Sequence, residues 1–194
     1  SLVDTRKVVT ESIKQSKKCE YFIISDSINN KHRNFLGYFL HGLKLKSYKF
    51  TKYKTKKEEN LISIIVVGNN NKPSLNDQLK FKALEEGTFF ARDLVSEPGN
   101  VLHPDEYAKR LSGLRKFGLK VTIYDKKKMK SLGMHALLGV GQGSIRGSYL
   151  VVIEWKGTKN NSKPLAFVGK GVCFDTGGYS LKPARFMEDM TYDM

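Results

Sequence analysis

The side chains best suited to chemistry lie in segment 168–194, which reads VGKGVCFDTGGYSLKPARFMEDMTYDM. Asp175 and Asp193 carry hard oxygen donors of the kind that divalent cations prefer. Lys170 and Lys182 stand on either side of Asp175. A divalent cation nearby would drive down the pKa of a lysine, which could then ligate as a neutral amine. Glycines between these residues permit the unusual backbone angles of an active-site loop. The pattern therefore indicates a divalent-metal site on a glycine-rich loop.

The spacing alone leaves other interpretations of the same segment open. Each lysine could be a solvated charge, Asp175 a turn residue before Gly-Gly, and Asp193 a surface acid. The phosphate-loop spacings GxxxxGK[ST] and GxGxxG do not occur. Asp175-Thr176-Gly177 also matches the active-site turn of aspartic proteases, but that class is all-β and the helical patterns upstream argue against it.

The elements that must position this loop follow from the apolar spacing upstream. A helix is predicted from Pro104 to Phe117, closed by Gly118 as its C-cap, and a short basic helix is predicted to end at Leu132. Apolar runs of strand length predict the strands Leu119–Tyr124, Ala136–Val140, Tyr149–Glu154 and Leu165–Val168. The last of these strands would lead directly into the glycine-rich loop, as in active sites at the ends of strands.

The first part of the chain also alternates helix and strand, which is typical of an α/β layer. Its predicted elements are a helix at Asp4–Ser16, a strand at Tyr21–Ser25, a helix at Lys31–Leu45 and a buried strand at Leu61–Val67. Asn69–Pro73 gives the clearest linker signal. A long helix follows over Asp77–Leu94, with Ser74 as its N-cap, and about 20 residues of helix would span roughly 30 Å.

The net charge of +15 and the pI near 9.7 raise the possibility of a nucleic-acid partner. Segment 44–57 concentrates this charge, because seven lysines alternate there with Tyr48, Phe50 and Tyr53. Such a stretch could hold single-stranded nucleic acid by charge and stacking, or could be a solvated edge strand or loop. The second alternative is favoured, because positive charge is spread along most of the chain.

Other sequence features point to the cytoplasm. Ser1–Lys18 is charged throughout, unlike a signal peptide, and no apolar run is long enough to cross a bilayer. Cys19 and Cys173 belong to no paired motif, so free thiols are expected.

Longer motifs identify a family resemblance. VGKG, FDTGG, SLKP and MTYDM follow one another in segment 168–194, and ARDLVSEPGN, MKSLGMHALLGVGQGS and VVIEWKG precede them. In order and spacing they resemble the leucyl (cytosol) aminopeptidase family of two-metal exopeptidases. The resemblance covers residues 83–194 closely and residues 4–67 only in general character.

The resemblance implies a role for each candidate residue. Lys170, Asp175 and Asp193 would ligate one divalent ion, Mn²⁺ or Zn²⁺, and Asp175 would bridge to a second ion. Lys182 would be the catalytic lysine that polarises the substrate carbonyl, and Met190 would line the pocket for an apolar N-terminal side chain. The implied activity is release of N-terminal residues, preferably Leu or other apolar residues, from peptides by metal-activated water.

The resemblance also implies an organisation. An incomplete N-terminal α/β domain (1–73) would be joined by a linker helix (74–98) to the start of an α/β/α catalytic domain with a mixed sheet (99–194). The family's remaining metal ligands lie in an NTDAEGR-like motif that this sequence does not contain, so the chain alone is expected to be inactive. The full-length protein is expected to be a cytoplasmic homo-hexamer that acts on peptides, with no membrane partner.

Overall fold

The computed structural model describes residues 21–25, 34–56, 63–68, 71–158 and 163–192. Two compact units make up the chain, Ser1–Asp93 and Leu94–Met194. Both contain helices and short strands, so the predicted α/β class is confirmed. The predicted helix at Asp4–Ser16 and the first residues of the predicted linker lie outside the described residues.

The first unit contains a parallel strand pair with a helix between the strands in sequence. Strands β1 (Tyr21–Ser25) and β2 (Ser63–Val67) pair with Tyr21 opposite Ser63, and helix α1 (Phe35–Lys46) separates them along the chain. Parallel pairing requires such a crossover connection. The prediction that the second strand is buried is wrong, because Ile65 and Val67 are 49% and 55% exposed in this chain.

The next helix, α2 (Leu75–Ser96), begins at the predicted cap. The Ser74 hydroxyl accepts a hydrogen bond from the Asp77 N–H at 3.2 Å and donates one to the Asp77 carboxylate at 2.6 Å. This exchange satisfies a backbone donor of the first turn, which has no partner within the helix itself. The boundary between the two units falls inside α2, after Asp93.

Helices α1 and α2 pack through a glycine in the first unit. A Cβ atom added to Gly37 would lie 2.6 Å from the ring of Phe81, so the ring sits directly on the α1 backbone. Tyr38 packs edge-on against the same ring at 5.0 Å between centroids, and His41 contacts Glu85 at 2.9 Å. Close backbone approach of this kind allows an aromatic ring to fill the space between two helices.

The second unit begins with α3 (Pro104–Ser112), which continues as a 3₁₀ turn (Gly113–Phe117) and ends at Gly118 with φ 81°. The left-handed angle confirms the predicted glycine cap. Strands β3 (Lys120–Tyr124) and β4 (Leu150–Glu154) pair antiparallel, and the short helices α4 (Lys126–Ser131) and α5 (His135–Val140) lie between them in sequence. The most buried apolar residues of the second unit are Leu102, Ala108, Val121 and Met129.

Two predicted strands of this unit are wrong. Residues 136–140 belong to α5, since an apolar run of this length suits a short helix as well as a strand. The run Leu165–Val168 forms no strand, and its large side chains are more than four-fifths exposed. Strand geometry needs a hydrogen-bonding neighbour, and within the described residues neither β3 nor β4 pairs with this run. Two short 3₁₀ turns, Ala184–Phe186 and Glu188–Tyr192, follow it.

Among the described residues, no helix has the length and apolar character needed to cross a membrane. The longest of them, α2, carries charged side chains along its whole length.

A buried ion pair joins the end of α2 to α3 in the second unit. Glu97 is 3% exposed, and its carboxylate accepts a hydrogen bond from Arg110 Nη1 at 2.9 Å. Arg110 Nε also donates to Glu106 at 3.0 Å. These bonds raise the pKa of Arg110, against the opposing effect of burial. The turn that begins at Glu97 is therefore tied to the first helix of the unit.

Replacing Arg110 with Met should destabilise the second unit by about 3 kcal/mol, because a buried carboxylate loses its cation. Urea unfolding measures the change. Lys120→Met is the matched control, since the Lys120–Glu154 pair is largely exposed and should contribute much less. Equal losses of unfolding free energy in the two variants would contradict the expectation that the buried ion pair contributes more than the exposed one.

Candidate active site

The candidate site is built on a turn that begins at Asp175. The carboxylate Oδ1 of Asp175 accepts the Gly177 N–H at 2.9 Å, and the Thr176 carbonyl accepts the Lys182 N–H at 2.9 Å. Gly177 and Gly178 have φ angles of 92° and 67°, which glycine adopts at little cost. The turn therefore brings the backbone of Lys182 back to that of Thr176.

Glycine is needed at position 177 for a second reason, because the turn leaves no room there for a side chain. A Cβ atom at this position would collide with the carbonyl oxygen of Ser180 and would lie 3.1 Å from both the backbone nitrogen and Cγ of Lys182. Nothing lies within 4 Å of the corresponding position at Gly178. The two neighbouring glycines thus both have positive φ angles, but only Gly177 is enclosed by the turn.

The turn brings together three of the predicted site residues. Lys182 Nζ donates to Asp175 Oδ2 at 3.1 Å and contacts Met190 Sδ at 2.9 Å. Met190 lies in the second 3₁₀ turn, and its N–H bonds to the Met187 carbonyl. The Asp175, Lys182 and Met190 side chains therefore form one cluster, which is named the Lys182 cluster below.

Electrostatics keep Asp175 ionised. The hydrogen bond from the Gly177 N–H lowers the pKa of Asp175 most, the bond from Lys182 lowers it further, and the positive charge of Lys170 adds to the effect. Lys170 is thus close enough to Asp175 to act on its charge. The fourth predicted ligand, Asp193, lies outside the described residues. Among those residues no group of three His, Cys, Asp or Glu side chains is arranged to hold a metal.

The segment behind the turn is packed by residues that the sequence did not single out. Tyr107 of α3 lies against Gly171, and Gly99 lies against Phe174. Cys173 is a buried free thiol, as predicted, and burial followed by the charge of Asp105 raises its pKa to about 11. A thiol with that pKa is protonated at neutral pH and is a weak nucleophile. The only sequence signal for these contacts was the pair of glycines.

Two alternatives from the sequence receive no support. The Asp175-Thr176-Gly177 turn occurs in an α/β unit rather than in the all-β fold of aspartic proteases, so that alternative was wrong. In segment 44–57, Tyr48 packs on Phe89 of α2 and donates to Asp93 at 2.8 Å. Its ring is therefore engaged by Phe89 within the protein.

The fold and the turn define an α/β protein that carries a carboxylate and a lysine in contact on a glycine-rich turn. Residues 89–194, more than half of the chain, match the family model of the cytosol aminopeptidase family, catalytic domain. The chain belongs to the cytosol aminopeptidase family.

Relatives of known name agree with this assignment. The chain is 50% identical over 157 residues to a probable cytosol aminopeptidase of Bradyrhizobium sp. (strain BTAi1), and 49% identical over 158 residues to one of Caulobacter vibrioides. Each match covers 79% of this chain but 32% of the relative. The chain therefore spans about one third of the length of these relatives.

A solved structure shares the fold. The bottromycin maturation enzyme BotP, solved in complex with Mn, matches 99% of this chain and 41% of its own chain, with a TM-score of 0.74 and 24% sequence identity. At this identity the likeness supports the α/β fold.

The chemistry of the described donors suits a divalent cation. Asp175 is ionised and partly exposed, and its Oδ2 contacts the Lys182 side chain rather than a backbone group. Carboxylate oxygen is a common ligand for Mn²⁺, Zn²⁺ and Mg²⁺. Asp175 therefore suits the role of one carboxylate ligand to a divalent cation.

Gly177→Ala should reduce the activity of the full-length protein by roughly 10-fold to 100-fold, because a small displacement of catalytic groups is costly. Gly178→Ala is the matched control. It should cost about 1 kcal/mol of stability from its left-handed angle and lower activity far less. Steady-state kinetics and thermal unfolding of both variants measure these effects. Equal activities in the two variants would show that the crowding at Gly177 has no role in positioning.

Proposed function

We propose that the protein acts as a metal-dependent aminopeptidase that releases N-terminal residues from peptides. Membership of the cytosol aminopeptidase family supports this proposal. The observation that carries it is the Lys182 cluster, in which one ammonium lies between a carboxylate and a thioether. Peptide-bond hydrolysis at an apolar N-terminal residue uses a cation, an ionised metal-binding group and an apolar surface. The Lys182 cluster contains all three.

Lys170, Asp175 and Asp193 are the proposed ligands of one divalent ion, and Asp175 is also the proposed ligand of a second. Mn²⁺ and Zn²⁺ both suit this donor set. When bound, such ions supply an activated water and polarise the substrate carbonyl. The structural support is the ionised state of Asp175 and the proximity of Lys170 to it. A ligand role requires the neutral amine of Lys170.

Lys182 is proposed to stabilise negative charge on the carbonyl oxygen of the scissile bond. Its side chain is 31% exposed, and its Nζ contacts Asp175 and Met190, so the long side chain is restricted before substrate binds. A charged donor that is already in place does not need to reorganise during the reaction, which is why such donors contribute strongly to catalysis.

Met190 is proposed to contact the N-terminal side chain of the substrate. Its thioether is partly buried beside Lys182, so an apolar substrate side chain on Met190 would place the adjacent carbonyl near the ammonium. Methionine adapts its shape to apolar partners, which favours Leu and similar residues. Cytoplasmic location and assembly as a homo-hexamer remain predictions from the family resemblance.

In the full-length protein, hydrolysis of leucine p-nitroanilide should depend on Mn²⁺ or Zn²⁺ and should stop when a chelator removes the metal. Lys182→Ala should lower kcat by roughly 10²-fold to 10³-fold, and Asp175→Ala should lower both activity and Mn²⁺ affinity. Initial rates and calorimetric Mn²⁺ titrations measure these effects.

Asp189→Asn is the matched control, since Asp189 is an exposed acid next to Met190 in sequence. It should keep near-normal activity and metal affinity. Full activity of Asp175→Ala, or activity that persists in excess chelator, would exclude the proposed metal-dependent mechanism.

The role of Met190 is tested by comparing two substitutions. Met190→Leu keeps the apolar bulk and should leave KM for leucine p-nitroanilide within about 3-fold, whereas Met190→Ala should raise KM by roughly 10-fold, the effect of removing a few buried methylene groups. Alanine p-nitroanilide should discriminate less between the two variants. If Met190→Ala binds the leucine substrate normally, Met190 does not contact its side chain.

A further inference from the structure

The segment that joins Lys170 to Asp175 rests on two close contacts with the rest of its unit. A Cβ atom added to Gly171 would lie 3.1 Å from Cε1 of the Tyr107 ring. A Cβ atom added to Gly99 would lie 3.0 Å from Cβ of Phe174. Both distances are shorter than ordinary van der Waals contact, so an added methyl group would force its neighbour to move. At each contact a glycine therefore allows backbone to approach a residue that carries an aromatic ring.

Tyr107 is held in place by its own helix. Its N–H bonds to the His103 carbonyl at 2.9 Å in the first turn of α3, and the neighbouring Ala108 is 4% exposed. Arg110, one turn further along, bonds to the buried Glu97. Tyr107 therefore belongs to a fixed part of the unit, whereas segment 163–174 lies in no helix or strand.

We propose that Tyr107 is a positioning residue that fixes Lys170 relative to Asp175 through its contact with Gly171. Gly171 directly follows Lys170, so the ring limits where the Lys170 backbone can lie. The Gly99–Phe174 contact limits the other end of the segment, directly before Asp175. The inference rests on the proposed function, because it assigns these contacts to the spacing of two proposed metal ligands.

The physical reason is the precision that ligands need. Groups that act together on a metal must be held to about half an ångström by residues that are themselves fixed. A loop without backbone pairing cannot supply that precision, whereas an aromatic ring anchored on a helix can.

A double-mutant cycle on the full-length protein tests the proposal, with Mn²⁺ affinity as the readout. Gly171→Ala should weaken binding by roughly 10-fold, because the new methyl group meets the ring and displaces the segment. Tyr107→Ala alone should weaken it by about 3-fold. The double variant should resemble Tyr107→Ala, since the methyl group then meets the space left by the ring. Such non-additivity is expected of residues in direct contact.

Gly113→Ala is the matched control, because Gly113 lies in the same unit with φ −62° and nothing within 4 Å of the added atom. It should bind Mn²⁺ like the wild type. Thermal unfolding of each variant separates loss of folded protein from loss of affinity. The proposal is overturned if the fold-loss of Mn²⁺ affinity in the double variant equals the product of the fold-losses in Gly171→Ala and Tyr107→Ala.

A second readout does not require metal. Cys173 is 8% exposed within the segment, so its rate of alkylation at fixed pH, followed by peptide mass spectrometry, reports how firmly the segment is held. Both Gly171→Ala and Tyr107→Ala should raise this rate several-fold, and Gly113→Ala should not. Unchanged alkylation in the first two variants would overturn the positioning role. Failure of the wild type to bind either Mn²⁺ or Zn²⁺ would instead refute the proposed function, and the alkylation rates would still decide whether Tyr107 holds the segment.

Discussion

The candidate site depends on the tight turn around Gly177. The turn is closed by the bond from the Lys182 N–H to the Thr176 carbonyl, and no side chain fits at Gly177 without striking the Ser180 carbonyl. Because Asp175 accepts the Gly177 N–H, the same glycine orients the carboxylate and lets Lys182 return to it. One backbone conformation therefore fixes the relative position of a carboxylate and an ammonium that are seven residues apart.

Such a turn can hold its shape only if its ends are also held. At the amino-terminal end this is done by contacts across the sequence, from Tyr107 to Gly171 and from Gly99 to Phe174. At the carboxyl-terminal end, the 3₁₀ turn that carries Met190 places its sulfur on Lys182. The buried Glu97–Arg110 pair links the turn containing Gly99 to the helix containing Tyr107. Local hydrogen bonds thus set the geometry within the turn, and packing sets its place in the unit.

The features predictable from sequence are those with a local physical cause. Ser74 and Gly118 mark helix ends because a hydroxyl satisfies backbone donors and glycine accepts a positive φ angle, and both lie where expected. The prediction failed at residues 136–140 and at Leu165–Val168, where the outcome depends on which neighbour supplies hydrogen bonds. The family motifs singled out Asp175, Lys182 and Met190 as site residues, and their mutual contacts became visible only in the structure. Tyr107 could not be found in this way, because its partner lies 64 positions away and only packing joins them.

The charge balance at Asp175 has a further consequence for metal binding. The described charges nearest to this carboxylate are two lysines, one of which bonds to it. After the larger effect of the Gly177 N–H, this positive charge lowers the pKa of Asp175 further, which stabilises the carboxylate, but it also repels a divalent cation. The two effects have the same origin, so the lysines cannot supply one without the other. A second carboxylate is therefore needed to make the site attractive to a dication, and this is the role that the proposed function gives to Asp193. As a proposed ligand, Asp193 would contribute to affinity mainly through its charge, whereas Asp175 would contribute mainly through its position.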